Sequence, residues 1–84
     1  MLYIRFYGYI PFTGSMYEDF LAFDEDTPIE FIDKQAKELA LEIAKRFSYI
    51  RHELGLTKPE FSQQCINQCH WQTITKEEFN NAIS

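Results

Sequence analysis

The side chains that could do chemistry in this chain fall into three groups. Cys65, Cys69 and His70 lie close together, with His52 further back; Tyr3, Arg5, Tyr7 and Tyr9 alternate along the first ten residues; and nine acids, Glu18, Asp19, Asp24, Glu25, Asp26, Glu30, Asp33, Glu38 and Glu42, crowd the first half. Two thiols and two imidazoles match in number what a tetrahedral zinc ion takes. Their spacing does not, because structural zinc sites pair ligands on a tight turn and add a second such pair, whereas these cysteines stand one helical turn apart and the histidines are isolated. Free thiols are the expectation, with no metal or other cofactor. Cys69 beside His70 makes no catalytic dyad by adjacency, since neighbouring side chains diverge on a helix and point to opposite faces of a strand. The chain also lacks a nucleophile elbow, a phosphate-cradling glycine loop and a zinc-protease helix, and holds only three glycines. A non-enzymatic role is expected.

The tyrosine and arginine row has two readings. Tyrosine offers large contact area with few rotatable bonds and arginine offers forked hydrogen bonds, so Tyr3, Arg5, Tyr7 and Tyr9 suit a partner-binding surface. C-terminal helices can equally cover that face and leave the hydroxyls at its rim. The acids divide in the same way. The nine acids from Glu18 to Glu42, if several share a face, can imitate a row of phosphates and occupy the groove of a nucleic-acid-binding protein, with Glu18, Asp19, Asp24, Glu25 and Asp26 the expected contact residues; yet acids beside a helix start are also favoured by the helix dipole alone. Residues 1–42 hold nine acids against three bases, a balance of −6, while residues 43–84 hold four acids against five bases, a balance of +1. That asymmetry opposes generic phosphate-backbone binding and suits a basic protein partner.

The elements that must position these residues follow from periodicity. Leu2, Ile4, Phe6 and Ile10 alternate with Tyr3, Arg5, Tyr7 and Tyr9, which predicts a strand over 2–10. Residues 11–15 (PFTGS) read as a turn and 16–23 as the returning strand of an antiparallel hairpin. Ile29, Ile32, Ala36, Leu39, Ala40, Ile43, Phe47, Ile50 and Leu54 step by threes and fours, predicting one long amphipathic helix over 28–54 that lies across the hairpin and stops at Gly55. Ala36, Ala40 and Ala44 mark a flank for close packing on a sheet. The pattern T-x-x-E-F at Thr27, Thr57 and Thr75 is a capping box three times over, in which threonine accepts from an orphan amide and glutamate reaches back to the cap. Helices over 58–68 and 76–83 follow, with 70–74 a candidate third strand.

Eighty-four residues make a single α+β domain, hairpin on helix with two short helices after it, and 14 aromatic rings supply its core. Two unbridged cysteines, no secretion-signal pattern and no apolar run near 20 residues point to a cytoplasmic protein, monomeric or dimeric through a hairpin edge.

The stretch IRFYGYIPFTGSMYEDFLAFDEDTPIEFIDKQAKELALEI, Ile4 to Ile43, resembles a recurrent type of small acidic bacteriophage protein: a strand ending in Gly-Tyr, a glycine turn, an acidic strand, an acidic cap with threonine, then a helix. Proteins of that shape include inhibitors of host defence such as anti-CRISPR proteins, and the resemblance implies binding and blocking, in the cytoplasm of a bacterial host cell. A second run, IRHELGLTKPEF from Ile50, resembles the opening of a phage-repressor helix-turn-helix, which implies a DNA-binding regulator as an alternative, although the glycine turn before a recognition helix is missing downstream. Tyr3, Tyr7, Tyr9 and Trp71 lining a pocket would make the chain a small-ligand or nucleotide-sequestering protein, the third reading.

Overall fold

The computed structural model describes residues 1–84, in the order β1 (Leu2–Tyr9), β2 (Met16–Phe23), α1 (Ile29–Arg46), α2 (Ser48–Leu54), α3 (Lys58–Asn67), β3 (Cys69–Ile74) and α4 (Lys76–Ile83). The architecture is α+β, with one antiparallel three-stranded sheet ordered β2-β1-β3 and four helices. The expected hairpin is present, and the candidate third strand pairs with the far side of β1, so the first strand of the chain becomes the centre of the sheet. No helix is long and apolar enough to cross a membrane.

Register assigns the faces. Leu2, Ile4, Phe6 and Gly8 of β1 stand beside Phe23, Leu21, Asp19 and Tyr17 of β2, with Thr73, Trp71 and Cys69 of β3 opposite Ile4, Phe6 and Gly8. This inner face meets α1: Ile4, Phe6, Ile32 and Ala36 form one buried cluster, bordered by Leu2, Phe23, Leu39, Cys69 and Trp71. A second cluster joins Ile10, Ala40, Ile43, Ala44, Ile50, Phe61 and Cys65. The alanine flank therefore serves two neighbours. Ala36 receives the sheet, while Ala40 and Ala44 admit α3, and the small side chains let two helix axes approach closely.

The long helix expected over 28–54 is two helices. Phe47 lies outside helical geometry, at φ −106° and ψ 30°; its amide still donates to the Ile43 carbonyl at 3.0 Å, but its own carbonyl accepts from Ile50 one residue early, at 3.0 Å. Neither glycine nor proline marks the break, which is why periodicity runs straight through it. The Phe47 side chain packs on the second cluster and lies 6.0 Å from the Tyr49 ring. Gly55 ends α2 in the left-handed conformation, as expected.

Two of the three capping boxes form in full, Thr57 with Glu60 and Thr75 with Glu78. The first does not. Pro28 is the N-cap of α1, without a side-chain cap, and the helix starts at Ile29. The Thr27 amide already donates to the Asp24 carbonyl in a turn, at 3.0 Å, so the glutamate has no donor to reach back for.

Gly8 is required by space. Its partner across the strands on one side is Tyr17, on the other Cys69. A Cβ at this position would stand 2.6 Å from the Tyr17 hydroxyl oxygen and would overlap the Gln68 carbonyl, which is backbone and cannot swing away. Gly14, at φ +73° in the hairpin turn, has open space around it. Gly8→Ala is expected to destabilise the fold by about 1–3 kcal/mol through overpacking, and Gly14→Ala by about 1–2 kcal/mol through the left-handed backbone alone. Urea unfolding of the two variants checks this: β1 signals should lose protection from hydrogen exchange in the Gly8 variant first.

Candidate functional site

The outer face of the sheet carries the tyrosine row, and the fold divides it. Tyr3 stacks at 4.9 Å on Phe79 of α4, so the C-terminal helix covers that end, whereas Tyr9 at the other end is 47% exposed. Between them Arg5 donates through Nε to Glu18 Oε2 at 2.6 Å, and its guanidinium lies 4.3 Å from the centre of the Tyr7 ring. Tyr7 in turn lies 5.6 Å from the His70 ring. The charge of Glu18 is thus matched within the chain. The face is therefore covered at Tyr3 and open at Tyr9.

The five acids expected to act as one patch are in three places. Glu18 faces outward with Arg5; Asp19, the next residue along the strand, faces inward beside Phe6. At about 3.3 Å per residue the Asp24–Asp26 turn is on the order of 20 Å along the strand from both. There Glu25 accepts from the Met1 ammonium at 3.2 Å, and Asp24 and Asp26 border a separate shallow hollow with Phe23 and Phe31. Period two forces the split of Glu18 from Asp19, and strand length forces the rest.

Asp19 instead gains two acids from α1. Glu38 and Glu42 stand four apart on one helix face and line with Asp19 a groove of about 560 Å³ between β2 and α1. Its apolar wall is Phe6, Leu21, Leu39 and Leu41; Gln35 and Lys45 complete it. Leu21 and Leu41 remain 38% and 47% exposed. None of the three carboxylates takes part in either of the chain's two ion pairs, which are Met1 with Glu25 and Arg5 with Glu18. Alongside runs the free edge of β2, eight residues paired on one side only. Asp19, Glu38 and Glu42 all belong to the acid-rich run from Glu18 to Glu42, and the four-residue helical step sets the two glutamates on one face; their grouping with Asp19 comes from its register beside Phe6, which the sequence does not fix.

The aromatic pocket of Tyr3, Tyr7, Tyr9 and Trp71 does not form. Trp71 belongs to the inner row, and its indole Nε1 donates to Asp33 Oδ1 at 2.7 Å. Tyr7 and Trp71 both reach a hollow at the β3 edge with His70, Asp33 and Lys37, but Tyr3 and Tyr9 do not. The helix-turn-helix reading also meets a correction. α2 and α3 follow its first two helices, but the chain then enters β3 where a recognition helix is required, and Phe61 and Cys65 of α3 are committed to the core.

Cys65 and Cys69 are free thiols. They belong to different elements, Cys65 to α3 and Cys69 to the start of β3, which replaces the single helix expected to carry both. Burial, reinforced by Cys69, pushes the Cys65 thiol up to about 11; burial also raises Cys69, against a smaller opposing effect of Tyr17. Cys69 Sγ donates to the Ala36 carbonyl at 3.4 Å. The Tyr17 hydroxyl is sealed beside it without a well-formed hydrogen bond, and its pKa rises as well, first through burial. Neither thiol is presented as a thiolate near neutrality. No three His, Cys, Asp or Glu side chains gather as a metal site would need.

Raised thiol pKa values tie stability to pH. The folded state holds the Cys65 proton more tightly than the unfolded chain does, so the contribution is complete below the ordinary thiol value of 9.0 and is lost as pH climbs through about 11. Urea midpoints measured from pH 7.5 to 10.5 should hold steady and then fall above pH 9, with Cys65→Ser making the fall shallower. An unchanged slope in that variant would contradict the assignment.

No protein-family model, curated protein or solved structure matches the chain.

Proposed function

We propose that this chain is a non-catalytic binding protein, an inhibitor or adaptor, which takes up an extended basic segment of a partner protein in the acidic groove between β2 and α1. One observation supports the reading above the others: Asp19, Glu38 and Glu42, none of them ion-paired, line one groove with exposed leucines beside the unpaired edge of an eight-residue strand. An extended peptide added to such an edge gains main-chain hydrogen bonds, and alternate side chains then enter the neighbouring groove. Lysine or arginine stems would lie on Leu21, Leu39 and Leu41, with the charged heads toward the carboxylates. Tyr9 and Met16, both exposed at the turn end of the hairpin, extend the contact area.

A net charge of −5 favours encounter with a basic partner, whose approach it accelerates most at low salt. In the phage setting that the first half of the chain resembles, the fitting partner is a nucleic-acid-binding defence protein, blocked by occupation rather than by turnover. Glu18 is not part of this contact, since Arg5 already holds it. The distant Asp24, Glu25 and Asp26 have at most a steering role.

Neutralising the groove separates these contributions. Asp19→Asn, Glu38→Gln and Glu42→Gln combined should weaken capture of the partner by about 10- to 100-fold, at roughly 0.5–1 kcal/mol for each partly exposed charge pair. Substituting Asp24, Glu25 and Asp26 in the same manner should slow association with little change in dissociation. Affinity purification from a bacterial lysate supplies the partner, and calorimetry with that purified partner at two salt concentrations supplies the numbers. Equal affinity of the wild type and the groove variant would sink the reading.

A further inference from the structure

On the other side of Leu41 and Lys45 from the acidic groove lies a hollow of opposite sign. Leu41, Ala44, Lys45, Ser48, Arg51, Lys58, Phe61 and Ser62 enclose about 470 Å³, a volume within the roughly 300–1,000 Å³ common for small-molecule sites. Three cations and two hydroxyls line it, and no carboxylate does. In a chain with 13 acids and 8 bases this is a local reversal of charge, and it is built from three helices: Leu41, Ala44 and Lys45 come from α1, Ser48 and Arg51 from α2, and Lys58, Phe61 and Ser62 from α3.

None of the three cations is spent on an ion pair. Glu60, the acid nearest Lys58 in the chain, is turned away: its Oε1 accepts from the Thr57 amide at 3.1 Å in the capping box. Arg51 is half-buried, and its Nη2 sits 3.1 Å from His52 Nε2, a contact that orients the guanidinium. Arginine's fork matches the geometry of phosphate oxygens, lysine adds point charge, and serine hydroxyls add neutral donors. Leu41, Ala44, Lys45, Ser48 and Arg51 step by threes and fours across the break at Phe47, so α1 and α2 present them on one side of the hollow and α3 closes the other.

We infer that this hollow is a binding site for a small phosphate ester, whose phosphate is held by Arg51, Lys58 and Lys45 and whose organic body lies against Leu41 and Ala44. Nucleic acid fits less well, because one local hollow on a chain of net charge −5 offers no basic stripe for a backbone to follow. The site uses a different set of charged residues from the groove assigned to the basic partner and does not depend on that assignment, apart from the shared Leu41 and Lys45 ridge.

Titration of the ¹⁵N-labelled protein with AMP, with inorganic phosphate and with single-stranded decathymidylate tests it. AMP should move the amides of Ala44, Ser48, Arg51 and Ser62 saturably, and phosphate should move a subset of them more weakly. Arg51→Gln with Lys58→Gln should weaken AMP binding tenfold or more, while Lys34→Gln, outside the hollow, should leave it unchanged. If the double variant loses its dispersed spectrum, Ser62→Glu, which sets a carboxylate in the hollow, replaces it with the same expected loss. The inference is overturned by an absence of saturable shifts with AMP, by unchanged affinity in the variants, or by decathymidylate moving these amides where AMP does not.

Discussion

Strand β1 has to satisfy both flanking strands and the helical layer at once, and the crowding at Gly8 is where those demands meet. β2 closes on one side through Tyr17, β3 on the other through Cys69, and the chain entering β3 brings the Gln68 carbonyl over the same position. Only the absence of a side chain lets all three arrive. Tyr17, packed above the glycine, supplies the bulk that position lacks, a cross-strand compensation that glycine in a central strand needs. Cys69 borders both buried clusters, so the two halves of the core are joined through the same spot.

With β1 in the centre, both remaining strands are edges, and two of the candidate surfaces lie along them, while the basic hollow is built from helices alone. β2 is bordered by the acidic groove and β3 by the hollow containing Trp71 and His70. An unprotected edge is a liability unless charge or a neighbour guards it. Along β2 the guards are Glu18 and Asp19, one on each face, which discourages pairing with another copy of the same acidic strand. A segment of opposite charge does not meet that barrier, so the feature that limits self-association is also the one that selects a basic partner under the proposed reading.

Local chemistry was legible in the chain and through-space assembly was not. Alternation over Leu2–Tyr9, the turn, the caps at Thr57 and Thr75 and the glycine stop at residue 55 each depend on neighbours a few positions away, and each formed. The break at Phe47 carries no glycine or proline to announce it, and the packing of its ring on the second cluster is a tertiary contact that no propensity encodes. Thr27 carries the same pentapeptide as Thr57 and Thr75, yet a competing turn to Asp24 consumed its amide, so identical local sequence led to a different cap. The acids show the same limit. Glu18 and Asp19 are adjacent in sequence and opposed in space, whereas Asp19 and Glu38 lie nineteen positions apart and share a groove.

Lys45 gives the surface its polarity. It stands in the wall of both the groove and the hollow, with carboxylates on one side and Arg51 and Lys58 on the other. The two walls meet at this side chain, so the groove and the hollow are adjoining surfaces of opposite sign. Under the proposed reading, a basic segment in the groove would be repelled at Lys45, which would favour placing its own cations toward Asp19 and Glu38 and so give it a preferred direction along β2. An anion held in the hollow would neutralise Lys45 and weaken that repulsion. With both proposed sites occupied, they would be coupled through one ammonium group, and by linkage any tightening of the first by the second would be returned in equal measure.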